Sequence, residues 1–104
     1  MMKIPMVMTI AMLATGLGAP ALAAGNVPAG KAKSAACTAC HGKQGISSTP
    51  DYPNIAGQTE PYLIKSLREF RSGQRKDPSM NRIAAGLSDA DIADLSAYYA
   101  NLHR

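Results

Sequence analysis

From residue 59 onward, apolar residues fall on helical spacings. Leu63, Leu67 and Phe70, with Ile64 beside them, make one face of a segment running from 59 to 72, the recurrence of an amphipathic helix. Thr59 suits its cap, Glu60 and Pro61 its first turn, and Gly73 the position just past its end. Arg68 and Arg71 fall where a helix C-terminus favours cations. A second run, Ile92, Leu95, Tyr99 and Leu102, follows Ser88-Asp89-Ala90-Asp91, a start signal with acids in the first turn. Between the two, 74–78 reads as a loop and 81–85 as a helical turn. Upstream, 26–28 reads as a loop, and the Ala- and Lys-rich stretch 29–36 predicts a short helix running directly into Cys37. Residues 42–57 hold Gly42, Gly45, Gly57, Pro50 and Pro53 among several Ser and Thr, which predicts an irregular loop. No segment sustains strand alternation. The pattern predicts an all-α protein.

The N-terminal stretch has a different pattern. Met1-Met2-Lys3 gives a positive start, residues 4–17 are apolar, and Gly18-Ala19-Pro20-Ala21-Leu22-Ala23 ends in small-x-small. That is the pattern of a secretory signal peptide over 1–23, with cleavage after Ala23 and a single mature domain over 24–104. The rival, a retained membrane anchor, is disfavoured because this apolar run, broken by Pro5, falls short of the roughly 20 residues that span a bilayer. No stable membrane span is expected after cleavage, and the destination is the periplasm.

So short a mature chain buries a marginal core, and such domains usually need a disulfide, a metal or a cofactor. With no Trp and one Phe, Phe70, apolar bulk has to come from elsewhere. Cys37-Thr38-Ala39-Cys40-His41 supplies the means. Cys-x-x-Cys-His is the attachment signature of c-type heme. Two thiols three positions apart reach the two heme vinyl groups, and the adjacent His41 lies under the iron. A redox-active dithiol normally opens a helix after a strand, and no strand precedes Cys37. A structural zinc site needs four ligands, and only His41 and the distant His103 are on hand to join the cysteines. The reading is one covalent heme c.

The second axial ligand follows by elimination. Past the signal segment, Met80 is the single methionine, and its thioether would complete a His/Met pair of raised reduction potential. Against a mere packing role stands its setting, 77–81, read as a polar loop. His103, the competing ligand, suits a solvated place near a helix's negative pole. With both axial positions filled the iron has no open site, which predicts an electron carrier and not an enzyme. A ligating histidine gives its other N–H to a carbonyl or carboxylate, and Pro53 in the loop 50–53 is the expected acceptor.

These residues resemble the class I cytochrome c family, and within it one half of the two-heme cytochrome c4 group. The matching stretches are Gly30-Lys31-Ala32-Lys33, Cys37-Thr38-Ala39-Cys40-His41-Gly42, Pro53-Asn54-Ile55-Ala56-Gly57-Gln58, Tyr62-Leu63 through Phe70, Gly73, Met80, and Leu87-Ser88-Asp89 through Ala97-Tyr98-Tyr99. The resemblance implies helices wrapped around one heme, with the first and last crossing where a glycine meets an aromatic ring. Here that means Gly30 against Tyr98 or Tyr99, and periodicity prefers Tyr99. It also implies Pro53 as acceptor for His41 and Met80 as distal ligand. This chain has one attachment motif where the two-heme relatives have two, so partner and oligomeric state are not inherited.

The net charge of +4, or +3 without Lys3, suits redox partners with acidic docking surfaces. Without a long basic run or interleaved aromatics, nucleic acid is not expected. Lys33, Lys43, Lys65, Arg68, Arg71, Arg75, Lys76 and Arg82 either surround the heme edge or form an ordinary solvated surface. Arg75 or Arg82 is placed to pair with a heme propionate. The expected function is a periplasmic mono-heme carrier of single electrons, the alternative being the cytochrome subunit of an exported dehydrogenase such as a flavocytochrome.

Overall fold

The computed structural model describes Lys3 and residues 25–104, so the expected signal segment, Lys3 apart, and its cleavage site lie outside the described residues. The described residues form five helices: α1 Val27–Lys33, α2 Ala35–His41, α3 Glu60–Ser72, α4 Pro78–Ala85 and α5 Asp89–Ala100. No strand occurs among the described residues. The fold is all-α, as the pattern predicts.

Residues 26–28, expected as a loop, open α1 instead. The Asn26 side chain accepts from the Ala29 amide at 2.8 Å and Pro28 fits the first turn. The single helix expected into Cys37 is broken at Ser34. Its hydroxyl donates to the Lys31 carbonyl at 2.7 Å and its amide reaches the same oxygen at 3.2 Å, the local competition that makes serine interrupt helices. α2 restarts from there and ends at Gly42, whose φ of 84° few side-chain-bearing residues adopt.

α1 and α5 cross at Gly30. A Cβ there would overlap the Asp94 carbonyl and come 2.7 Å from the Tyr98 Cβ. The aromatic partner is therefore Tyr98, not the Tyr99 that periodicity prefers. α5 is buried nearly all round, through Ile92, Leu95, Ser96, Ala97, Tyr98 and Tyr99, so apolar spacing could not single out its α1 face. Tyr99 lines a cavity instead, its ring edge-on to that of Tyr98 with centroids 4.9 Å apart. Around the crossing, Lys33 Nζ bonds Asp94 at 2.6 Å and Asp91 at 3.0 Å, and the Asn26 amide donates to Asp94 at 2.8 Å.

α3 packs on both α4 and α5. Leu63, Leu95, Tyr98 and Tyr99 form the central cluster, with Cys37, Ile55, Leu67 and Leu87 against it. Thr59 takes the cap position of α3 without a side-chain bond, and Gly73 closes the helix. α5 begins in a full capping box between Ser88 and Asp91. The loop 42–57 is irregular, as expected, and held at both ends. The Ile55 and Ala56 amides bond the Gly45 carbonyl at 2.9 and 3.0 Å, and the Gly57 amide bonds Tyr99 O at 2.9 Å.

Candidate functional site

α2, the loop 51–58, α3, α4 and α5 enclose one cavity of about 480 Å3. α2 brings Cys37, Cys40 and His41 to its wall, three residues on two adjacent turns. The loop adds Pro53 and Ile55, α3 adds Leu63, Leu67 and Phe70, α4 adds Met80 and Ile83, and α5 adds Leu95, Ser96 and Tyr99. Every residue expected to hold the cofactor lines this one space.

The His41 ring is buried, and its Nδ1 lies 2.8 Å from the Pro53 carbonyl oxygen. A carbonyl only accepts, so Nδ1 carries a proton, and in the neutral ring Nε2 keeps the free lone pair. That is the tautomer a metal ligand needs. Pro53 reaches His41 because the loop between them is folded back by the Gly45 bonds described above.

Met80 does not sit in a loop. Asp77 accepts from the Met80 amide at 2.8 Å, Pro78 occupies the first turn, and α4 thus begins before Met80. Sequence reading found the residue but not its support, Asn81. Its amide nitrogen donates to Phe70 O and Arg75 O, both at 2.8 Å, and its Oδ1 accepts from the Asp77 amide at 2.9 Å. The only sequence signal was an Asn four residues after a capping Asp.

Neither cysteine is in a disulfide. Burial pushes the Cys37 thiol up, against an opposing pull from Tyr99. No strand precedes Cys37 among the described residues, which speaks against the dithiol alternative. His103 is exposed and away from the cavity, which removes the zinc alternative's fourth ligand.

The residues present fit a c-type heme. A cavity of this size is in the range of cofactor sites, its wall is chiefly aliphatic and aromatic, and two thiols and an imidazole oriented for ligation by Nε2 meet there. Tyr52 and Tyr62, 43% and 47% exposed, stand at the rim.

Of the eight cations considered for the heme edge, only Arg75 and Lys76 line the cavity. Arg75 stacks on Phe70, 4.6 Å from the ring centre. Lys33 is tied to α5, Lys65 pairs with Glu69 at 3.7 Å, and Arg71 pairs with Asp89 at 2.7 Å. Arg82 is exposed and does not reach the cavity.

Residues 27–103 match the family model described as cytochrome c. The chain is 44% identical over 90 residues to cytochrome c4 of Pseudomonas aeruginosa, covering 86% of this chain and 45% of that protein. It is 47% identical over 81 residues to cytochrome c-554(548) of Halomonas halodenitrificans, covering 75% of this chain and 98% of that protein. The crystal structure of reduced cytochrome c4 from Pseudomonas stutzeri superposes with a TM-score of 0.73 at 38% identity, covering 77% of this chain and 47% of that one. The chain thus spans about half the length of the cytochromes c4 it matches. With the fold, the attachment motif and these likenesses in agreement, the chain belongs to the cytochrome c family, and its cofactor is heme c.

Proposed function

We propose that this chain is an exported, periplasmic carrier of single electrons, with one heme c tethered by Cys37 and Cys40 and ligated axially by His41 and Met80. One observation carries the reading: an imidazole fixed by Pro53 in its ligating tautomer shares a cavity with the single methionine past the signal segment. When bound, heme c supplies a one-electron ferric/ferrous couple.

The chain's own residues set the conditions for that couple. His41 presents Nε2 and is held against rotation by the 2.8 Å bond to Pro53. Met80 presents a thioether from a capped helix start that Asn81 and Asp77 hold against α3. With His41 and Met80 both holding the iron, no position would be left open to a substrate, which suits a carrier and not an enzyme. Leu63, Leu67, Ile83 and Leu95 give the cavity an apolar lining. Tyr52 and Tyr62 mark the opening through which a partner approaches, with Arg75 and Lys76 as its nearest cations. The partners are redox proteins whose docking surfaces are acidic. Export is supported by the pattern of residues 1–23, and no helix among the described residues is long and apolar enough to cross a membrane.

The test is the visible spectrum of ferric protein purified from the periplasm. The weak long-wavelength sulfur-to-iron band is expected in the wild type, lost in Met80→Ala together with new binding of added imidazole, and retained in His103→Ala. A band that survives Met80→Ala overturns the axial assignment.

A further inference from the structure

Two side-chain oxygens among the described residues are buried without a hydrogen-bond partner: Ser96 Oγ and Tyr99 Oη. They stand nearly one turn apart on α5, and both residues line the cavity. An unpaired buried hydroxyl costs free energy, and a phenylalanine at 99 would fill the same space without that cost. The Tyr99 hydroxyl therefore calls for an acceptor among its neighbours.

The polar side chains that bear on it are those of Cys37 and Ser34. The Ser34 hydroxyl already gives its proton to Lys31 O at 2.7 Å, so toward Tyr99 it only accepts. Cys37 is packed against the cluster that contains Tyr99. When its thiol adds across a heme vinyl group, sulfur bonds one vinyl carbon and the thiol hydrogen goes to the other. The resulting thioether sulfur has no proton and can only accept. Tyr99 is then the donor whichever neighbour it chooses.

We propose that Tyr99 is a positioning residue whose hydroxyl donates to the Cys37 sulfur, fixing that edge of the heme and favouring its reduced form. The inference rests on the heme reading of the cavity. The positive end of the O–H dipole, held beside the ring edge in an interior of low dielectric, stabilises the state with one more electron.

Spectroelectrochemical titration of the holo-protein tests this. At the potential where wild type is half reduced, Tyr99→Phe is expected to lower the ratio of reduced to oxidised protein roughly two- to fivefold, with the sulfur-to-iron band unchanged. Ser34→Ala, which removes the competing acceptor, is expected not to lower it. An unchanged ratio in Tyr99→Phe, or an equal fall in Ser34→Ala, overturns the proposal. Resonance Raman spectra of the wild type in H2O and D2O give a check that needs no variant: the Cys37 C–S stretch shifts on exchange if the bond exists, and its constancy contradicts it. A wild type lacking covalent heme defeats the underlying reading instead, and the two failures are thereby distinct.

Discussion

The amide of Asn81 ties together the end of α3, the loop at 75 and the start of α4, through bonds of 2.8 to 2.9 Å. Asn81→Ala leaves the Arg75 carbonyl and the Asp77 amide in search of water and strips Phe70 O of one of its two donors, so we expect a loss of roughly 1–3 kcal/mol in chemical denaturation. Because the same bonds hold the segment that delivers Met80, the variant should also bind added imidazole more readily than wild type, while keeping its covalent heme. Equal imidazole affinity would show that Met80 is placed by something else. At this scale the attachment motif was legible because it is local: five consecutive residues state their own chemistry. Met80 was singled out by its scarcity and by a polar setting read as a loop, which is in fact a helix start. Asn81 and the unpaired hydroxyl of Tyr99 were not, since their meaning lies in contacts between distant parts of the chain.

Among the elements, the crossing of α1 and α5 makes the tightest demand. A Cβ at Gly30 meets the backbone of α5 at Asp94, which has no flexible end to move aside. Gly30→Ala should cost roughly 1–3 kcal/mol, read as a lower denaturation midpoint at an unchanged slope. The ionic clasp across the same crossing sets a pH dependence. Asp94 is held below the usual carboxylate range first by Lys33 and then by the Asn26 amide, and Asp91 first by the Ser88 amide and then by Lys33. Carboxylates with lowered folded pKa values contribute stability that is whole above the unfolded value of about 3.9 and is lost as pH falls through the folded value. Thermal melts should therefore drop steeply below about pH 4 in wild type, and less steeply in Asp94→Asn. A parallel fall in both would contradict the clasp. Helices α3 and α5 were legible from spacing and caps. The break at Ser34 and the choice of Tyr98 over Tyr99 were not, because one depends on a side-chain bond that competes with the helix and the other on a helix too buried for periodicity to pick a face.

For the whole molecule, the modest positive charge governs encounters. Oxidation of the reduced protein by an anionic reagent should slow as salt rises from low to physiological ionic strength, and oxidation by a cationic reagent should speed up. Stopped-flow rates decide it, and the same salt slope for both reagents would mean that no net charge is felt at the rim. The cavity also explains how a chain with one Phe and no Trp can fold: a porphyrin gives the helices a surface to pack on that their own side chains do not supply. Denaturation in acid acetone, which strips non-covalent heme, tests this most directly. The account predicts that colour stays with the polypeptide and that Cys37 and Cys40 fail to react with a thiol reagent. Colourless protein with both sulfurs reactive would contradict it.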